Sequence, residues 1–118
     1  MTGHEATAWE EIDAHPHPAI PNAHEFEIEI ERVECNFPHD PRERSVTLTL
    51  RHRHSGERVR LAFEEADWPV GLDVVNSQLY IIDISHRGWD RRGVEVGDYH
   101  DDAPPYFRAR SIQVVGLP

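Results

Sequence analysis

From Glu25 onward apolar and acidic residues take turns: Phe26, Ile28 and Ile30 alternate with Glu25, Glu27, Glu29 and Glu31. A period of two puts one set on each face of an extended chain, so this segment reads as a half-buried β-strand. After Ile30 the apolar phase moves to Val33, Cys35 and Phe37, which predicts a bulge or a bend inside the strand. A turn from Pro38 to Pro41 then closes it. Val46, Leu48 and Leu50 alternate with Thr47, Thr49 and Arg51, and beyond Ser55-Gly56 the rhythm returns as Val59, Leu61 and Phe63 against Arg58 and Arg60. Two opposed alternating runs around a short glycine-containing turn predict a β-hairpin.

Leu79-Tyr80-Ile81-Ile82-Asp83-Ile84 is apolar in both phases, so its strand is expected to be central and covered on both sides. A polar connection follows up to Arg92, and Val94 and Val96 mark one face of a further strand. Asp101 to Pro105 breaks the chain before a last long strand from Tyr106 to Val115. The inward phase of these strands assigns Phe26, Ile28, Ile30, Val46, Leu48, Leu50, Val59, Leu61, Phe63, Ile82, Ile84, Val94, Val96, Phe107, Ile112 and Val114 to the core.

The first 24 residues follow a different rule, with few large apolar side chains beyond Trp9, Ile12 and Ile20. Thr7-Ala8-Trp9-Glu10 has the form of a capping box ahead of about two helical turns. Pro16, Pro18 and Pro21 then end any helix and leave an extended linker. Residues 1–24 therefore read as an arm, mobile or packed through Trp9, and residues 25–118 as the folded domain. Six or more strands with closely spaced turns and no long helical pattern predict an all-β, mainly antiparallel fold, a β-sandwich or partly open barrel with a short N-terminal helix or arm.

Charge narrows the partners. Twelve basic residues, all arginine, stand against 22 acidic ones, for a net charge of −10. Such a field repels nucleic acid and anionic membrane surfaces and attracts a cation or a basic protein. Cys35 is the only cysteine, which rules out an internal disulfide and a cysteine-based zinc knuckle and fits the cytoplasm. No apolar run approaches the roughly 18 residues of a membrane span, and the first residues carry no signal-like pattern.

Three constellations are candidates for chemistry. Glu25, Glu27, Glu29 and Glu31 either pair with Arg51, Arg53, Arg58 and Arg60 across the sheet or form an acidic stripe for a basic partner. Nine histidines invite a metal, yet their spacing offers no three or four converging ligands, so no metal and no cofactor are expected. The loop after the doubly apolar strand is the densest, with Asp83, Ser85, His86, Arg87, Trp89 and Asp90. A Ser85-His86-Asp83 triad fails on geometry, since strand neighbours point to opposite faces and no nucleophile elbow is present. Structural use is the plainer reading: Asp83 paired with an arginine or capping the turn, Gly88 at positive φ, and Trp89 packed under the loop.

The runs Tyr80 to Trp89, Val94-Glu95-Val96-Gly97-Asp98-Tyr99 and Phe107-Arg108-Ala109-Arg110-Ser111-Ile112 resemble the C-terminal half of small bacterial β-sandwich proteins grouped with the immunity proteins of polymorphic toxin systems. The resemblance implies a single-domain cytoplasmic binder without an active site of its own. The expected function is therefore an acidic protein-binding module, immunity-like, that meets a basic partner through Glu25, Glu27, Glu29, Glu31, Asp83, His86, Arg87, Trp89 and Asp90, with no catalytic residues. Two alternatives stand beside it: a small ligand- or metal-binding enzyme using histidines and acids around the same loop, and an assembly subunit that self-associates through an edge strand or the arm.

Overall fold

The computed structural model describes residues 7–20, 28–52, 54–70, 76–77, 79–99 and 104–115. A helix, α1 (Trp9–Ala14), precedes eight strand segments: β1 (Ile28–Asn36), β2 (Ser45–His52), β3 (Arg58–Glu64), β4 (Asn76–Ser77), β5 (Leu79–Asp83), β6 (Val94–Asp98), β7 (Phe107–Ala109) and β8 (Ser111–Val115). All pairings are antiparallel, in a five-stranded sheet ordered β4-β1-β2-β3-β8 and a three-stranded sheet ordered β5-β6-β7.

The two sheets share their margins. One residue separates β4 from β5 and one, Arg110, separates β7 from β8, so at each margin the same stretch of chain leaves one sheet and enters the other. Counting each such pair as one bent strand, the hydrogen-bonded order closes on itself into a flattened six-stranded barrel. The Arg110 corner shows how tightly the chain turns: its N–H donates to the Glu64 carbonyl at 2.9 Å, while Gly93 N–H donates to Ala109 at 2.9 Å. A side chain at Gly93 would meet the Arg110 carbonyl oxygen at 2.5 Å, which is why glycine stands there.

The predicted phase slip in the first strand is a bulge between Ile30 and Arg32. It returns Val33 and Cys35 to the register of Leu48 and Val46; Val33 packs on the core, whereas Cys35 is exposed. The predicted hairpin is β2–β3, with Arg51 opposite Arg58. Between the sheets lie Ile30, Leu48, Leu50, Leu61 and Phe63 from one side and Leu79, Ile81, Val94, Val96 and Phe107 from the other. Phe63 and Phe107 meet edge to face at 4.9 Å. Of the residues assigned inward from the sequence, Ile112 is partly buried and Val114, next to the end of β8 at the margin of the five-stranded sheet, is 44% exposed. Phe26 and the side chain of Ile28 lie outside the described residues.

The doubly apolar strand is indeed covered on both faces, but it is not central in its sheet. β5 is a margin strand, and β6 occupies the middle. Its second cover is the arm: Ile12, 3% exposed, packs on Tyr80, Ile82 and Ile84. The arm backbone also reaches the β5 margin, where His17 N–H donates to Ile81 and Asp83 N–H to His15, at 3.1 and 2.8 Å. Trp9, expected as the anchor, is 44% exposed and touches Tyr99 edge-on at 4.6 Å. The capping box does not form either. Ala8 is the N-cap, with no side-chain cap, and the Thr7 hydroxyl donates instead to Glu95.

Candidate functional site

The segment leaving β3 has to cross one end of the barrel to reach the far side of β1, and it is pinned as it goes. Ala66 N–H donates to Arg44 at 3.2 Å, Asp67 N–H to Arg108 at 2.8 Å and Val70 N–H to Tyr106 at 2.9 Å. Ala66 is buried beneath it. This crossing, the β1–β2 connection and the loop before β6 enclose a cleft of about 530 Å³, lined among others by Phe37, Arg42, Arg44, Glu65, Trp68, Asp90 and Arg91. A volume of that size is in the range of small-ligand and side-chain pockets.

Glu65 forms the floor. It is 8% exposed and held by Arg91 through Nε at 2.6 Å and Nη2 at 3.0 Å, and by Arg110 at 2.8 Å. Hydrogen bonds from these two guanidiniums, outweighing burial, pull its pKa down to about 2. Both members of the Glu65–Arg91 pair sit in the left-handed region, at φ 49° and 56°, which ordinary side chains adopt at a cost of roughly 1–2 kcal/mol per residue. Arg92 binds Asp67 beside them. On the wall, Trp68 is 63% exposed and stands edge-on to Phe37 at 4.9 Å, with Val70, 62% exposed, next along the chain.

The loop singled out from the sequence divides between two places. Asp90 reaches the cleft; Asp83, His86 and Arg87 lie at the arm, and Trp89 lies against Arg87 and Arg108. Asp83 caps its turn, accepting from Ser85 N–H at 2.8 Å, and bonds from the Ser85 side chain and then its backbone keep the carboxyl below the usual range. Gly88 takes φ 68°. Arg87 grips Glu11 through Nε at 2.7 Å and Nη2 at 2.6 Å, and His86 Nε2 meets the same carboxylate at 2.7 Å while stacking on His15 at 3.9 Å. Trp89 does not pack under the loop; it is 46% exposed, with the Arg87 and Arg108 guanidiniums each 4.7 Å from its ring centre.

Under the arm lies a residue that the sequence pattern did not single out. Glu95 is fully buried on β6. Tyr80 donates to it at 2.9 Å, Arg87 at 2.8 Å, Arg108 at 2.7 Å, and Thr7 completes the set. Burial pushes its pKa up, but the bonds from Thr7, Arg87 and Arg108 prevail and hold it below the ordinary value. Burial and the adjacent carboxylate raise the Tyr80 phenol, which stays a donor.

The acidic stripe is engaged where it is visible. Glu31 pairs with Arg58 at 2.8 Å and Arg51 at 3.9 Å, and Glu34 with Arg60 and Arg32, both at 3.2 Å. Glu25, Glu27 and Arg53 lie outside the described residues, and for Glu29 only the backbone register, opposite Arg51, is described. The chain matches no family model, no curated protein and no solved structure. Its site is therefore read from geometry alone. Among the described residues no three His, Cys, Asp or Glu side chains converge as metal ligands, and no helix is long and apolar enough to cross a membrane.

Proposed function

We propose that this chain is a small protein-binding module of the bacterial cytoplasm, an inhibitor of the immunity type, whose binding face is the cleft end of the barrel. The observation that carries the reading is Trp68. A tryptophan 63% exposed, on a backbone fixed by the bonds of Asp67 to β7 and of Val70 to Tyr106 just before it, keeps a large apolar surface in water at a cost that a partner's contact would recover. Interfaces draw most of their energy from a few such aromatic anchors. The net charge of −10 steers a basic partner toward the molecule and speeds its arrival.

The test is affinity capture from lysate of the source bacterium with wild-type and Trp68→Ala chains, followed by titration of the purified partner. A basic protein retained by the wild type, bound at least about tenfold more weakly by the variant and associating more slowly as salt rises, is the expected result. Retention of partners that is indifferent to Trp68 overturns the reading.

A further inference from the structure

Nine of the eleven arginines among the described residues make ion pairs with this chain's own carboxylates. The two that do not, Arg42 and Arg44, both line the cleft beside Trp68. In a chain with 22 acidic residues against 12 basic ones, leaving two neighbouring guanidiniums without an acid at one place calls for an explanation. We infer that the cleft is a monoanion site that takes a carboxylate next to an aromatic ring, as a peptide segment of the binding partner presents it. The inference rests on reading the cleft end as the binding face.

The two arginines are held ready. They flank Glu43 at a 3-10 turn over Pro41–Glu43, where Asp40 accepts from Arg42 N–H at 3.0 Å and Arg44 N–H donates to Pro41 at 3.3 Å. Arg44 donates through Nε to the Pro38 carbonyl at 3.1 Å and through Nη2 to that of His39 at 3.3 Å, with its guanidinium 5.9 Å from the Phe37 ring centre. These bonds fix its plane and, among the described residues, leave Nη1 without a hydrogen-bond partner. Arg42 is exposed, and among the described residues its guanidinium makes no ion pair. A guanidinium already positioned loses little freedom when a carboxylate arrives, so more of the charge-assisted bond appears as affinity.

The floor adds no competing charge. Glu65 is already met by Arg91 and Arg110, and Asp67 by Arg92. What remains is Arg42 and Arg44, the exposed face of Trp68, and two carboxylates, Asp90 and Asp40, the latter turned to the Arg42 N–H. Asp40, Asp90 and the chain's net charge all disfavour a dianion such as phosphate, whereas a single carboxylate is tolerated beside two guanidiniums. Trp68 then offers its ring to the ligand's ring in offset or edge-on contact.

The probes are N-acetyl-phenylalanine, its neutral amide and phenyl phosphate, titrated by calorimetry and by NMR of the tryptophan indoles. The free acid should bind about tenfold or more tightly than the amide and more tightly than phenyl phosphate. Arg42→Gln, at an exposed position that leaves the fold intact, should bring the acid down toward the amide, and Trp68→Ala should weaken both. A melting curve for each variant separates lost binding from lost structure. Equal binding of acid and amide, an advantage that survives Arg42→Gln together with Arg44→Gln, tighter binding of phenyl phosphate, or no saturable binding overturns the inference. If a partner is still captured through Trp68 in that event, the binding-module reading stands and only the carboxylate preference falls.

Discussion

Replacing Glu95 by glutamine separates charge from shape at the most buried polar position of the barrel. The side chain is fully buried, with Oε2 accepting from Thr7 and Tyr80 and Oε1 from Arg87 and Arg108. A glutamine can keep its oxygen toward the two guanidiniums and turn its amide toward the two hydroxyls, which rotate to accept. What disappears is the negative charge. Breaking a buried ion pair by removing one partner costs about 3–5 kcal/mol. The lower end applies, since Arg87 keeps Glu11 at 2.6 Å. About 3 kcal/mol in a domain of this size lowers the melting temperature by roughly 10–15 °C. Urea melts at pH 7 should show the loss in the midpoint, with the slope unchanged.

The pH dependence supplies a second check on the same variant. The folded-state pKa of Glu95 is depressed, so its contribution is complete above the unfolded carboxyl value and fades as pH falls through the folded one. The gap between wild type and Glu95→Gln should therefore narrow as pH drops below about 4.5. Midpoints that coincide at pH 7, or a gap that stays constant into acid, would show that the charge stabilises nothing and refute the argument.

Deleting residues 1–20 should abolish cooperative melting or lower the midpoint sharply, because Tyr80, Ile82 and Ile84 lose their cover and the β5 margin loses its backbone partners; Ile12→Ala alone should cost about 2–5 kcal/mol by denaturant titration. Gly97→Ala should cost about 1–3 kcal/mol, since an added Cβ would lie 2.3 Å from the Tyr80 ring and displace the phenol from Glu95; a midpoint like that of wild type would contradict it. The wild type should lose stability steadily between about pH 4.5 and pH 2, as Glu11, Glu95 and Glu65, all depressed in the folded state, take up protons; circular dichroism along that range reads it. Trp68→Ala should leave the melting temperature within a few degrees, because the side chain is mostly in solvent.

What the sequence shows of this fold follows from how local each feature is. The bulge in β1 and the β2–β3 hairpin are written in alternation over a few residues, and both are found where the alternation puts them. Coverage of both faces of β5 is legible too, since Tyr80 and Ile82 on one face and Leu79 and Ile81 on the other all need shelter. The identity of the second cover is not. Ile12 in a six-residue helix carries almost no periodic signal. Glu95 is missed for the same reason: Val94-Glu95-Val96 looks like a strand with one wet face, and only the neighbouring Tyr80 and Ile82 hint that this face is closed. The cleft was legible in one residue, Asp90. Arg42, Glu65 and Trp68 come together through a crossing over the barrel end, which no local pattern encodes.

The two bent strands have a consequence for the order in which the molecule can be made. Glu64 pairs with Ser111 and Arg60 with Val115, contacts some fifty residues apart along the chain, and the strand that supplies them also supplies β7 to the other sheet. On a ribosome, the β1–β2–β3 meander emerges early with one apolar face and nothing to lay against it. The three-stranded sheet gains its second margin only at Ala109 and the five-stranded sheet only at Val115, so closing loops of that length becomes the slow step. The nascent chain commits late, and during that interval the exposed face of the meander is what a chaperone would hold.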